Sequence, residues 1–212
     1  MNRNQLFEIA HRWFEDQSWK PFPFQKKTWN AFLQGKNGLL NAPTGSGKTY
    51  ALWIPIVLDY IQKNSQTYTT PKKGLIAIWI TPLRALSVEI QQAAERFASE
   101  IGVPLTVGIR TGDTPQKVRA AQKRAMPNLL ITTPESLQLL LASKGYEKVF
   151  KGMNAIVVDE WHELLGSKRG VQIELALSRL KSISPRLRLW GISATIGNLD
   201  QSRAVLLGPK GA

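Results

Sequence analysis

Cysteine is absent from the 212 residues. That excludes disulfides and thiolate-held zinc, and it fits an intracellular chain without requiring one. Histidine occurs only at His11 and His162. The stretch His162-Glu163-Leu164-Leu165-Gly166 opens like a zinc-protease motif, but that chemistry needs a second imidazole where Gly166 stands. A metalloprotease is therefore excluded. No run approaches the roughly 18 uninterrupted apolar residues of a membrane span. The start, MNRNQLFEIAHRW, lacks the basic opening, apolar middle and small-residue cleavage site of a secretory leader. Acidic residues are scarce: 15 Asp and Glu face 28 Lys and Arg, giving a net charge of +13. Such an excess fits either a polyanionic partner or a basic solvated surface, and charge alone does not choose between them.

What the chain does contain is 43% hydrophobic residues, enough for one domain with a substantial core. No internal repeat, low-complexity segment or dividing linker interrupts it. Residues 4–14 place Leu6, Ile9, Ala10 and Trp13 at helical spacing. An aromatic, proline-punctuated turn (Trp19 to Gln25) leads to a second helix over 24–33, which Gly35-Lys36-Asn37-Gly38 ends. Apolar strands are then expected near 39–41, 74–80, 104–109, 128–132, 155–159 and 187–193. Helices are expected over 50–62, 83–101, 114–125, 134–142 and 171–183. Strands alternating with helices predict an α/β fold, a mostly parallel sheet covered on both faces by right-handed crossovers.

The rest of the chain is organised around Leu39–Thr49, LLNAPTGSGKT. In strand–loop–helix context, Pro43-Thr44-Gly45-Ser46-Gly47-Lys48-Thr49 is a phosphate-binding loop, with Ala42 where the strictest pattern has glycine. Gly45 and Gly47 let successive N–H groups turn toward one anion, and the helix N-terminus adds its dipole. Lys48 supplies charge for the β- and γ-phosphates, and the Thr49 hydroxyl can ligate Mg²⁺. Ala155-Ile156-Val157-Val158-Asp159 is an apolar strand ending in an acid, the form of a Walker B element. Asp159 would hold Mg²⁺ directly or through water, and Glu160 would deprotonate or orient the attacking water. The two acids could instead cap the following helix; beside a phosphate loop, catalysis is the stronger reading.

Each strand is followed at once by a polar cluster, and in a parallel sheet all of these emerge at the carboxyl edge, where open α/β folds bind ligands. Besides the phosphate loop they are Thr81-Pro82-Leu83-Arg84, Thr111-Gly112-Asp113-Thr114, Thr133-Pro134-Glu135-Ser136, Asp159-Glu160-Trp161-His162 and Ser193-Ala194-Thr195. This ordered set resembles the first RecA-like domain of a superfamily 2 helicase, over about Phe7 to Leu207. TTPESL, the Lys168-Arg169-Gly170 after DEWH, and GISATIGN resemble most the Lhr-like and ligase-associated DEXH-box DNA helicases. Residues 1–35 would then be N-terminal helices carrying a Q-motif-like segment, and 36–212 the RecA-like ATP-binding domain.

The resemblance implies further roles. Gln25 would read adenine, with Phe22 or Trp19 packing on the ring. His162, Ser193 and Thr195 would couple nucleotide state to domain closure. Thr81, Pro82, Arg84, Thr111, Gly112, Thr133, Pro134, Glu135, Lys168 and Arg169 would contact a single strand, through hydroxyls, N–H groups and guanidinium. Lys117, Arg119, Lys123 and Arg124 either extend that surface or form an ordinary solvated face. Trp161 is expected to pack, without chemistry. The implied activity is an ATP- and Mg²⁺-dependent 3′-to-5′ DNA helicase or translocase of DNA repair, intracellular, cytoplasmic and nucleoid-associated. RNA as the strand, or a binding module without turnover, stays open. Only 17 residues follow Thr195 (212 minus 195), too few for the second RecA-like domain whose arginines would complete the ATP site. The expectation is a piece of a longer enzyme, poorly active by itself.

Overall fold

Two periodicities set the architecture: helices with one apolar stripe, and strands apolar on both sides because helices cover both faces. The structure, a computed structural model, describes residues 1–43, 45–194 and 204–206. In chain order the elements are α1 (Arg3–Asp16), α2 (Pro23–Leu33), β1 (Gly38–Asn41), α3 (Lys48–Lys63), β2 (Ala77–Ile80), α4 (Arg84–Glu100), β3 (Val107–Arg110) and α5 (Gln116–Arg124). They continue as β4 (Leu129–Thr132), α6 (Pro134–Leu141), α7 (Tyr146–Phe150), β5 (Ala155–Val158), α8 (Trp161–Leu164), α9 (Lys168–Ile183) and β6 (Arg188–Ser193).

The strands form one six-stranded sheet in the order β1-β6-β5-β2-β4-β3, and each neighbouring pair is parallel. Alternation along the strands splits the core in two. Ala77 and Trp79, Leu129 and Ile131, Ala155 and Val157, and Trp190 and Ile192 face one cluster, which α1 to α4 complete. Ile78 and Ile80, Leu130, Ile156 and Val158, and Leu189 face the other, completed by α6 to α9. The central helix α3 is buried continuously from Ala51 to Ile61 and carries Pro55 in its interior. Its one buried acid, Asp59, pairs with Arg188 at 2.7 Å and Lys63 at 2.8 Å.

The boundaries differ from the sequence expectation where side chains take over from the ladder. β2 begins at Ala77 rather than Gly74, and β3 at Val107 rather than Pro104. Between them the Asn128 side chain accepts the Thr106 N–H at 2.9 Å and donates to the carbonyls of Lys72 and Gly74, satisfying backbone that would otherwise need strand partners. The short helices α7 and α8 carry no periodicity long enough to read. Helix α9 starts at Lys168, three residues early, because the Ser167 side chain caps it by accepting from the Gly170 N–H at 3.1 Å. Glycine is required at 170: a Cβ there would lie 2.0 Å from the Leu164 carbonyl oxygen.

Strand order fixes the order of the clusters along the carboxyl edge. It runs phosphate loop (β1), SAT (β6), DEWH (β5), TPLR (β2), TTPES (β4) and TGDT (β3). At about 4.8 Å per strand, the edge runs about 24 Å from the phosphate loop after β1 to TGDT after β3.

Candidate functional site

The loop after β1 curls through two left-handed glycines, Gly45 (φ +77°) and Gly47 (φ +79°). Ser46 closes the turn, its N–H and hydroxyl both donating to the Pro43 carbonyl, at 3.3 and 2.6 Å. Gln25 braces the loop from behind. It is buried rather than exposed: its Nε2 donates to the Gly47 carbonyl at 3.0 Å, and its Oε1 accepts the Phe22 N–H at 2.8 Å. A side chain at 47 would strike that amide at 2.8 Å. Beside the loop, Phe14, Trp19, Phe22 and Tyr50 wall a cavity of about 380 Å³ with Gln25 at its floor. A larger cavity of about 890 Å³ lies at the opposite ends of the strands, beside Asp59 and Arg188, away from this chemistry. Thr44 and Thr195 lie outside the described residues.

Lys48 opens α3, with its ammonium 3.7 Å from Glu160 Oε1 and no hydrogen-bond acceptor despite its burial. An ammonium in that state is a site for an anion. Glu160 adopts a left-handed backbone (φ 47°, ψ 44°), costly for a residue with a Cβ, and the kink carries its carboxylate toward Lys48. Its second oxygen is 3.4 Å from His162 Nδ1, and that nitrogen is 2.9 Å from Ser193 Oγ. DEWH and SAT are thus joined by side chains. Asp159 is buried. Its Oδ2 accepts the Trp79 indole N–H at 3.2 Å and its Oδ1 the Glu160 N–H at 2.9 Å. Burial pushes its carboxyl up to about 6; the Trp79 bond works against this, and the Glu160 charge adds to it.

An Mg²⁺-nucleotide fits this arrangement. The described residues contain no group of three His, Cys, Asp or Glu able to hold a metal unaided. Mg²⁺ needs none, since it usually binds one or two protein oxygens and takes the rest from phosphates and water. Asp159 and Thr49 would supply the protein oxygens, and the unsatisfied Lys48 ammonium the phosphate charge.

At the other end of the edge the clusters are cross-linked. Arg84 pairs with Asp113 at 2.6 Å, its guanidinium lying against Gly112. Arg169 forks onto Glu135 at 2.7 and 3.3 Å and reaches the Pro82 carbonyl at 3.2 Å. Although burial pulls the Glu135 carboxyl upward, the Arg169 bonds hold it below its ordinary value. The hydroxyls face inward. Thr81 Oγ1 accepts from the Leu83 N–H, and Thr133 caps α6, which begins at the buried Pro134. Thr111 is buried while Gly112 and Lys168 are exposed. Arg119 folds back onto the carbonyls of Thr111, Gly112 and Thr114, at 3.1, 2.6 and 2.8 Å, and so holds the TGDT loop from within. Trp161 is fully buried. Trp79 as a partner of Asp159 was not legible in the sequence, since a tryptophan in an apolar strand reads as core.

A parallel sheet with a phosphate loop, an acid pair and a cross-linked strand edge defines a nucleotide-driven motor domain of the RecA-like kind. Residues 22–202 match the DEAD/DEAH box helicase family, and the chain belongs to that family. It is 34% identical over 220 residues to the Lhr helicase/uracil glycosylase of Escherichia coli, covering 97% of this chain and 14% of that protein. It is 32% identical over 219 residues to the ATP-dependent helicase Lhr-Core of Methanocaldococcus jannaschii, covering 96% of this chain and 25% of that one. The solved structure of Mycobacterium smegmatis helicase Lhr bound to ssDNA and AMP-PNP superposes with a TM-score of 0.78 at 32% identity, over 95% of this chain and 26% of that one.

Proposed function

We propose that this chain is the ATP-binding motor domain of a DNA helicase or translocase, stepping 3′ to 5′ on a single strand in DNA repair. The carrying observation is the buried Lys48 ammonium, without an acceptor and 3.7 Å from Glu160. Gln25 holds the loop in shape through Gly47, and the aromatic cavity takes the base. Lys48 neutralises the β- and γ-phosphates; Asp159 and Thr49 hold Mg²⁺, which when bound stabilises charge on the transferred phosphoryl group. Glu160 takes the proton of the attacking water. His162, between Glu160 and Ser193, carries the state of that carboxylate to β6.

Phosphate contacts of a strand fall to Arg84, Arg169, Lys168 and the N–H groups near Thr81, Pro82, Thr111, Gly112, Thr133, Pro134 and Glu135. Residues 1–35 frame the base side, and 36–212 form the RecA-like core. Arginines of a second RecA-like domain complete the ATP site in the whole enzyme, an intracellular, cytoplasmic and nucleoid-associated protein. DNA is favoured because the M. smegmatis structure is described with ssDNA; RNA is the alternative strand.

The test is Mg²⁺-dependent ATP hydrolysis by this 212-residue chain with no nucleic acid, single-stranded DNA or single-stranded RNA, alongside nucleotide binding. Binding with negligible turnover in all three is expected of half a site. Strong turnover by the chain alone would refute the half-site, and failure to bind nucleotide would refute the whole reading.

A further inference from the structure

The Trp79 indole needs an acceptor because it is wholly buried. Burial alone does not call for a carboxylate. The indoles of Trp29, Trp53 and Trp190 donate to backbone carbonyls, of Tyr50, Ala94 and Lys36, at 3.2, 3.0 and 2.9 Å, and that of Trp13 to the Glu100 carboxylate at 2.6 Å, between helices α1 and α4. Trp79 instead reaches the acid at the nucleotide site, 80 residues along the chain. Strand register enforces this. Trp79 on β2 lies opposite Val157 on β5, and both face the same half of the core. Asp159 follows Val157 by two residues, which continues that face, and its N–H extends the ladder to the Ile80 carbonyl at 2.7 Å. The indole therefore lies beneath the strand end with its N–H aimed upward at Oδ2. With the Glu160 N–H on Oδ1, both oxygens are pinned, and rotating the carboxylate would break both bonds.

We propose that Trp79 is a positioning residue for the metal step: its indole N–H fixes the plane of the Asp159 carboxylate, presetting the oxygen that Mg²⁺ or its water shell meets. This rests on the reading of Asp159 as the Mg²⁺ residue. A neutral donor suits the task. A cation in its place would repel the metal, and an aliphatic side chain would leave the carboxylate free to turn in a buried pocket, so that metal binding would have to order it.

The test is fluorescent-nucleotide binding titrated with Mg²⁺, on the wild type, Trp79→Phe and Asp159→Ala. Trp79→Phe should raise the Mg²⁺ concentration for half-maximal tightening about tenfold, the size of one hydrogen bond to a charged acceptor. Affinity without Mg²⁺ should stay unchanged. Asp159→Ala should abolish the Mg²⁺ response; if it does not, the metal reading itself fails. If it does while folded Trp79→Phe keeps the wild-type midpoint, only the Trp79 proposal is overturned.

A second readout needs no substitution at 79. In protein labelled with ¹⁵N-tryptophan, the Trp79 indole signal, assigned through its contacts to Asp159 and Ile80, should shift on adding Mg²⁺ and AMP-PNP but not on adding AMP-PNP with EDTA. An unmoved Trp79 signal beside a shifted Trp19 signal would also overturn the proposal.

Discussion

Asp159 is held in a state that opposes folding, and the cost can be measured. Its carboxyl is pushed from the ordinary aspartate value of 3.8 up to about 6, chiefly by burial. The native state thus binds the proton more tightly than the unfolded chain between those values, and stability must fall as pH rises through them. The full difference amounts to about 3 kcal/mol lost at pH 7 and above, with about half recovered by pH 5. Asp159→Asn removes the charge at every pH, but its amide offers one acceptor to two donors, the Trp79 indole and the Glu160 N–H. One donor left unpaired costs about 1 kcal/mol. The variant should therefore be more stable than the wild type by about 2 kcal/mol at pH 8 in EDTA, and the gap should close and reverse below pH 5. Urea unfolding of both proteins across this range gives the difference directly and cancels the acid self-repulsion of a chain of net charge +13. A variant no more stable at pH 8, or a gap that ignores pH 6, would refute the assigned burial of charge. A gain would mean that the acid proposed to bind the metal is kept at the expense of stability, as functional sites often are.

Four further variants test the geometry. Lys48→Ala should lower nucleotide affinity by about a hundredfold or more, since it removes a buried ammonium with no hydrogen-bond acceptor; Glu160→Gln should retain that affinity and lose turnover. Gly170→Ala should destabilise by roughly 2 kcal/mol in thermal or urea unfolding, because its Cβ would meet the Leu164 carbonyl at 2.0 Å. Arg119→Ala should weaken single-strand binding, read by fluorescence anisotropy, with nucleotide affinity intact. It frees three carbonyls of the TGDT loop without touching the phosphate loop.

The phosphate loop, the acid pair and the sheet were legible because their information is local. Gly45, Gly47, Lys48 and Thr49 lie within five residues, and strand-then-helix periodicity supplies their context. Parallel strands then bring every strand-end cluster to one edge without any contact having to be foreseen. What stayed hidden depends on pairs far apart in sequence. Gln25 stood out only through the resemblance, as a reader of adenine, and only its 22-residue reach to Gly47 shows it as a brace. Arg119 looked like one of four cations on a helix, although its guanidinium turns inward. The unforeseen α7 and α8 span 5 and 4 residues, below the length at which a helical period can be read.

Charge misleads in a related way. The net excess of +13 locates no cationic groove, and the two arginines of the sheet edge are both paired, Arg84 with Asp113 and Arg169 with Glu135. The two pairs are not alike. Arg169 forks onto Glu135 and also meets the Pro82 carbonyl, so it is fixed by three contacts that tie three clusters together. Arg84 meets Asp113 through one close contact, with both side chains more than half exposed. An exposed pair of that kind is worth about 0–1 kcal/mol, little enough for a phosphate to displace the carboxylate. On the proposed reading, Arg84 is therefore the one of these two guanidinium groups that a strand would recruit at little cost, while Arg169 would meet it with TPLR, TTPES and the start of α9 already held in a fixed relation. On that reading, the pairing of each guanidinium, rather than total charge, sets which one a strand would meet first.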